Sequence, residues 1–238
     1  MSKPLLISVL FLGLLGADMA DATPSLYLSA GSSDITIADG GSGDLNPLIG
    51  AVTYAGSLGG FLVTISTGIS KPALGSAQSP HLDLSSIEIN GVKGGALIIK
   101  FTDTDFLAAA PGPLEFTSSL GGFATAGSVE HKTYLDPNNN PFGSGSGKLL
   151  TSDIGRIGTF EESGSKTVNV GASPYSLTQI ITVKLPALGL GAFHADLQTE
   201  ATPEPASLIL LGTGLLGVGL WRRRLRARGV RSQVEQIG

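Results

Sequence analysis

The middle of the chain predicts an all-β fold, an antiparallel β-sandwich of jelly-roll or Ig-like type, and three observations carry that expectation. Apolar residues alternate with period two in several short runs. Gly or Pro interrupts nearly every window of a dozen residues, and no stretch sustains the 3.6-residue apolar period of a helix. Composition agrees: 34 glycines in 238 residues, with 14% charged and 6% aromatic side chains, suit many short strands joined by Gly-rich turns. About nine to twelve strands are expected over residues 23–200.

At the N-terminus, Met1-Ser2-Lys3-Pro4 is followed by Leu5 to Leu15, apolar apart from Ser8 and Gly13, and the segment closes with Ala20-Asp21-Ala22 before Thr23. One positive charge, a short apolar run and small residues at −3 and −1 form a secretory signal. Residues 1–22 are therefore expected to be a signal helix that enters the translocon, with Ala20 and Ala22 presented to signal peptidase. The run is too short to span a bilayer stably.

The strand candidates follow in order. Ile35 and Ile37 flank Thr36. Gly59-Gly60 separates a run at 51–55 from another at 61–66. Leu82 and Leu84 alternate, and Ile87 and Ile89 resume after Ser85-Ser86 with a phase slip that a bulge absorbs. Asn90-Gly91, lying before the run 96–102, reads as a hairpin turn. Residues 137–147 read as an exposed loop. Val168 and Val170 straddle Asn169, and Ile181, Val183 and Leu185 face one way while Thr182 and Lys184 face the other. No fixed-period repeat is present, which argues against a solenoid.

Charge and residue inventory narrow the function classes. The chain has no cysteine, which excludes disulfides, thiolate metal sites and cysteine nucleophiles. Residues 23–205 hold 8 Lys+Arg against 16 Asp+Glu, a formal charge of −8. A segment that acidic is a poor partner for nucleic acid. Asp39 and Asp44, near Gly40-Gly41-Ser42-Gly43 and in the company of Asp34 and Asn46, are weak calcium candidates: the Gly-Gly-x-Gly-x-Asp pattern has its Asp one position early and occurs once. Asp103 and Asp105, two apart on an expected strand, should share one side, as a second weak calcium pair or as a solvated rim. No other metal or cofactor is expected. His81, His131 and His194 have no partner at metal-ligand spacing, and no nucleophile elbow is present. Glu161-Glu162, adjacent on a strand, point to opposite faces and cannot flank one glycosidic bond. No catalytic activity is inferred.

At the C-terminus, Pro203-Glu204-Pro205 ends a linker spanning 201–206. An apolar run over 207–221 follows, and then Arg222, Arg223, Arg224, Arg226 and Arg228 in a basic tail over 222–238. The prolines hold an extended backbone, the apolar run is expected to be a transmembrane helix, and the arginines act as a cytoplasmic membrane stop. Sixteen residues from Ala206 to Trp221 rise only about 24 Å as a helix, short of a hydrocarbon core of roughly 30 Å. Gly212, Gly214, Gly217 and Gly219 soften it further, so it suits a temporary handle better than a permanent anchor.

The order and spacing of these parts resemble the PEP-CTERM sorting signal, and the resemblance is confined to the last thirty or so residues. It implies an exosortase partner that recognises Pro203-Glu204-Pro205 and cuts nearby, a transient stay in the inner membrane, and release to the cell surface or extracellular matrix. The expected protein is thus an exported surface or matrix component associated with biofilm or exopolysaccharide. The alternative is a secreted carbohydrate-binding module or polysaccharide hydrolase on the same tail, which calls for clustered carboxylates or an exposed tyrosine, with Asp103, Asp105 and Tyr134 as the candidates.

Overall fold

The computed structural model describes residues 23–145, 147–199 and Thr213, with the backbone alone at Ile65 and Ser66. Apart from Thr213, the expected signal helix, sorting motif, membrane helix and basic tail lie outside the described residues.

Among the described residues the alternating runs become twelve strands: β1 (Ser25–Ala30), β2 (Ser33–Ala38), β3 (Ala51–Leu58), β4 (Phe61–Ile69), β5 (His81–Gly91), β6 (Gly95–Phe106), β7 (Gly112–Ala124), β8 (Ser128–Asp136), β9 (Lys148–Gly155), β10 (Gly158–Val170), β11 (Tyr175–Leu185) and β12 (Gly189–Thr199). They form two six-stranded antiparallel sheets. The first has the order β2-β1-β6-β11-β8-β9 and the second β10-β7-β12-β5-β4-β3.

The last eight strands are one long hairpin folded upon itself. β5 pairs with β12, β6 with β11, β7 with β10 and β8 with β9, and the loop 137–147 forms the bend. Pairing of β12 with β7 and of β11 with β8 closes the wrap. The hairpin β1–β2 extends one sheet beside β6, and β3–β4 extends the other beside β5.

One apolar core lies between the sheets. Alternate residues supply it: Leu26 and Leu28 from β1, Leu82, Leu84, Ile87 and Ile89 from β5, Ile181, Val183 and Leu185 from β11. Each large apolar side chain buried this way contributes roughly 1.5–3 kcal/mol. The expected bulge is present in β5: Ser86 has a φ of 55°, and the register against β12 shifts between Phe193 and Ala195. Gly59-Gly60 makes the expected hairpin, with Leu58 opposite Phe61, and Gly59 takes a φ of 57° that a side chain resists.

Two expectations are corrected. Asn90-Gly91 is not a hairpin turn. Both residues remain in β5, paired with Leu190 and Gly189 on one side and with Leu62 and Phe61 on the other. Because β4 and β12 occupy both sides of β5, the chain cannot fold back beside it and crosses to the other sheet as β6. Asp103 and Asp105 likewise do not share a solvated rim. A bulge in β6, where the register against β11 shifts between Tyr175 and Leu177, breaks the alternation, and Asp105 adopts a φ of 59°. Asp103 is fully buried and ion-paired with Lys71, whose Nζ lies 3.1 Å from Oδ2.

The loop 137–147 is tied down along its length. Asn139 and Asp105 exchange hydrogen bonds of 2.8 and 2.6 Å, and the Phe142 amide donates to Thr102 Oγ1. The Phe142 ring meets Tyr27 edge-on at 6.1 Å. At the side of the sandwich, the edge strands β9 and β10 belong to different sheets and are laced together. Lys166 Nζ donates to the Leu149 carbonyl at 2.6 Å, and Lys148 Nζ to the Asn169 carbonyl at 3.4 Å.

Candidate functional site

The outer surface of the second sheet gathers the polar chemistry. Strand alternation sends His81, Asp83 and Glu88 outward from β5, and His194, Asp196 and Gln198 outward from β12, opposite the core-facing Leu82, Leu84, Phe193 and Leu197. β7 adds Thr117, Ser119 and Phe123, and β10 adds Ser163 and Ser165. The only lysine or arginine among the described residues of these six strands is Lys166. It shares the inward row of β10 with Val168 and Val170 and is taken up by the Leu149 carbonyl.

Three features divide this surface. Thr117, Ser119, Ser163, Ser165, Asp196 and Gln198 line an open furrow of about 470 Å³. Thr117 Oγ1 has no hydrogen-bond partner among the described residues. At the far end Leu62, Phe123 and Leu190, each nearly half exposed, form an apolar shelf. Between them the His194 imidazole lies over its cross-strand neighbour Gly121, where a Cβ would come within 2.6 Å of the ring.

The β12 wall of the furrow is electrostatically loaded, with Asp196 lining it and His81 and Asp83 beside it on β5. Asp83 and Asp196 are directly opposite one another on β5 and β12. His81 Nε2 is bonded to Asp196 Oδ2 at 2.5 Å. That hydrogen bond holds the His81 proton and raises its pKa above the ordinary imidazole value, against the opposing effect of burial. Burial raises the Asp83 carboxyl, and the neighbouring Asp196 charge adds to the rise. Two carboxylates facing each other across a strand pair repel; His81 offsets that repulsion at both, and Ser85 and His194 also favour the ionised Asp83.

The residues expected from sequence are found elsewhere. Asp39 and Asp44 serve their own loop: Asp39 Oδ2 accepts from the Gly50 amide at 2.6 Å, and Asp44 accepts from the amides of Gly40, Asn46 and Thr53 at 2.9 Å each. Asp103 accepts from Ser70 Oγ, Lys71 Nζ and the Thr104 amide. Burial raises its pKa, and Lys71 opposes that rise. Asp105 is bonded to Asn139, and Tyr134, on β8 of the same sheet, lies on the outward row while Asp103 is buried on the inner side. Asp103, Asp105 and Tyr134 therefore do not form a common site. Among the described residues, no three or more His, Asp or Glu side chains are grouped to hold a metal ion. Glu161 and Glu162 are exposed on adjacent positions of β10. The sorting motif, the arginine stop and the signal cleavage residues lie outside the described residues.

A second polar group is buried between the sheets. His131 Nε2 meets Gln179 Oε1 at 2.9 Å, and Gln179 Nε2 donates to the Leu82 carbonyl at 2.7 Å. Ser118 Oγ donates to Asp153 Oδ2 at 3.0 Å and pairs with Thr151 Oγ1 at 2.6 Å. His131 Nδ1 lies 3.8 Å from Asp153, too far for a hydrogen bond. Burial lowers the His131 pKa to about 4, so it is neutral near pH 7. Serine, aspartate and histidine meet here in the wrong order for a nucleophilic triad: the serine hydroxyl is held by the carboxylate and not by the imidazole.

Sequence reasoning missed Asp83 and Asp196. The alternation in Leu82-Asp83-Leu84 and Ala195-Asp196-Leu197 places each carboxylate on the polar side of its own strand. Nothing local states that strands starting at residues 81 and 189 are neighbours.

The geometry defines a β-sandwich with one open, acidic, hydroxyl-lined face. Residues 201–224 match the PEP-CTERM protein-sorting motif, as the residues at 203–205 and 222–224 led one to expect, and the motif implies an exported protein sorted through its C-terminus by an exosortase. No curated protein matches the chain. Among solved structures, two cleaved adhesin domains of Lys-gingipain from Porphyromonas gingivalis are similar at 8% and 10% identity. They cover 49% and 64% of this chain and 74% and 98% of their own, with TM-scores of 0.32 and 0.31. A xylan-binding domain from Paenibacillus barcinonensis has 12% identity, covers 66% of this chain and 88% of its own, and has a TM-score of 0.29.

Proposed function

We propose that this is a surface or matrix protein that adheres to exopolysaccharide along the furrow of its second sheet. Residues 1–22 are removed on export. Residues 207–221 hold the precursor in the inner membrane, with 222–238 on the cytoplasmic side, until an exosortase cuts beside Pro203-Glu204-Pro205. The product is the sandwich, whose strands β5–β12 we read as a jelly roll with two added hairpins. Its role is binding and not catalysis.

The observation that carries this reading is the furrow itself. Hydroxyls from β7 and β10, the Gln198 amide and the Asp196 carboxylate face one open groove. Sugar hydroxyls are recognised by such a mixture of donors and acceptors. The shelf at Phe123 adds an apolar contact for a sugar ring.

Protein recovered from the surface fraction of producing cells supplies the test. Its mass is expected to end near 203–206, and it is expected to co-sediment with the cells' own exopolysaccharide. Ser119→Tyr and Ser163→Tyr, which fill the furrow from a half-buried and an exposed position of its lining, should reduce that co-sedimentation with no more than a small change in thermal stability. Unchanged binding in both variants removes the furrow from the function. A mature protein that keeps Arg222 to Arg228 removes the cleavage.

A further inference from the structure

We infer that one end of the sandwich is a membrane-docking tip: its apolar turns enter the headgroup region of an anionic phospholipid surface, and the basic residues beside them hold the phosphates. This end is distinct from the furrow, and the inference stands apart from the polysaccharide reading.

Strand register brings six turns to that end: 31–32, 59–60, 92–94, 125–127, 156–157 and 186–188. Three of them are knit together, the Leu188 amide donating to the Gly91 carbonyl at 2.6 Å and the Lys93 amide to the Gly60 carbonyl at 3.0 Å. Water-facing turns ordinarily carry glycine and small polar residues. Here Leu188 is 82% exposed, Ile157 67% and Val92 55%. Leu190 and Leu62, each nearly half exposed, continue them onto the outer surface. The apolar border thus follows the second sheet from the start of β10 to the start of β4, about 19 Å at one strand spacing per step. Leu188 also takes a φ of 63°, in a turn closed by the Gly189 amide on the Pro186 carbonyl at 3.0 Å. Glycine or asparagine is the unstrained choice at such a position. A leucine that accepts this backbone and gains no burial from it is not explained by the fold itself.

Charge identifies what covers this end. Acids outnumber bases two to one over residues 23–205, yet the six turns contain no Asp or Glu. They hold Lys93 and Arg156, both exposed, with exposed Lys184 behind them on β11. The nearest carboxylates, Asp34, Glu88 and Glu130, stand back on the strands, and Glu130 is paired with Lys132. The opposite end, where the chain enters at Ser25 and leaves at Thr199, also exposes Leu45, Leu48 and Ile49, but beside Asp39 and Asp44. A second copy set tip to tip across a two-fold axis opposes like charges. The chain's own apolar run at 207–221 starts too far away: the eleven residues of β12 span about 34 Å, and residues 200–206 reach about 25 Å at full extension. Aliphatic tips interspersed with exposed Lys and Arg match a lipid surface. The tips leave water for the interface, and each basic residue near it adds attraction to phosphate.

The experiment takes protein recovered from the surface fraction and compares vesicles of phosphatidylglycerol with phosphatidylethanolamine against vesicles of phosphatidylcholine alone. Leu188→Trp places a reporter at the tip, and because the chain's one tryptophan is Trp221, wild type supplies the background. On anionic vesicles the reporter's emission is expected to shift to the blue and to be quenched by lipid brominated on its acyl chains, less so as salt rises. The affinity read from that quenching should be at least about tenfold weaker on neutral vesicles. Lys93→Glu combined with Arg156→Glu, both exposed changes, should weaken it on anionic vesicles by a similar factor. The reporter is local, so a retained sorting tail does not alter the reading.

Absence of quenching at position 188 on anionic vesicles overturns the inference. Equal quenching on both kinds of vesicle, or quenching unchanged by the charge reversal, overturns it as well. So does a blue shift without lipid that grows with protein concentration alongside a doubled mass, which would make this end an interface between copies.

Discussion

Two acid–base pairs, Lys71–Asp103 and His81–Asp196, sit close together and differ in what surrounds them. Lys71 follows two residues after β4, whose last residue, Ile69, is paired with Asp83 of β5. Asp103 is 0% exposed and its ammonium partner 11%. Every neighbour is committed: Ser70 and the Thr104 amide donate to the carboxylate, Lys71 also donates to the Thr104 carbonyl, and its Nζ lies 4.6 Å above the Phe106 ring. The open pair is 26% and 23% exposed and has a second carboxylate, Asp83, beside it. The enclosed pair joins the end of β4 to β6 in the opposite sheet. The open pair stays within reach of solvent.

The comparison is tested first where the effect is largest. Lys71→Met should cost about 3–5 kcal/mol, because it leaves the Asp103 charge buried and alone. The double change Lys71→Met with Asp103→Leu should recover most of that loss, as read by urea unfolding. If the single variant lost less than about 1 kcal/mol, the pair would not be enclosed in the sense used here.

Next comes His131, the enclosed imidazole. Its folded pKa of about 4 lies below the unfolded value of 6.5. A base with a depressed folded pKa stabilises the fold above its unfolded pKa, and that stability is lost as pH falls from about 6.5 through about 4. The loss is on the order of 3 kcal/mol. Urea unfolding across that window should show a steep pH slope in wild type and a shallower one in His131→Gln. Parallel slopes would contradict the burial argument.

His81 has the opposite sign and a smaller size. Its pKa is raised by the bond to Asp196, so its contribution is complete below the unfolded value of about 6.5 and fades as pH rises through the folded pKa. Screening by solvent holds it to about 1 kcal/mol or less. Comparing His81→Gln with wild type at pH near 6 and near 8 should reveal a difference only at the lower pH. Smallest of all is the surface pair Glu130–Lys132, 2.7 Å apart and 35% exposed on both sides. Lys132→Ala should shift stability by no more than about 0.5 kcal/mol in thermal melts.

Much of the fold was legible because its cause is local. A side-chain period of two, a phase slip at Ser85-Ser86 and a Gly59-Gly60 turn are written within a few residues, and the structure bears each out. The partner of a strand is not written locally. Asn90-Gly91 marks the end of a strand but does not say which sheet receives the next one, and the two filled sides of β5 decided it. Asp103 was misplaced because it continues the inward row of Leu97, Ile99 and Phe101, and the bulge that parts it from Asp105 shows only in the register against β11. The furrow suffered most, since His81 and Asp196 are separated by 115 positions and meet only through strand pairing. At the C-terminus the sorting motif was readable in full, because an exported tail is recognised as linear sequence.

The two lysines that bind β9 to β10 have a consequence for how such a protein behaves when crowded. Thirteen residues of β10 and eight of β9 would otherwise present raw backbone to any neighbouring copy. Strand-to-strand addition of that kind grows without limit and sets hard, as amyloid does. With Lys148 and Lys166 stitched across the seam, this route is obstructed along that side. Contact is left to side chains on the faces, where attraction yields to salt and acidity. An assembly of such units can loosen and re-form as salt and acidity change.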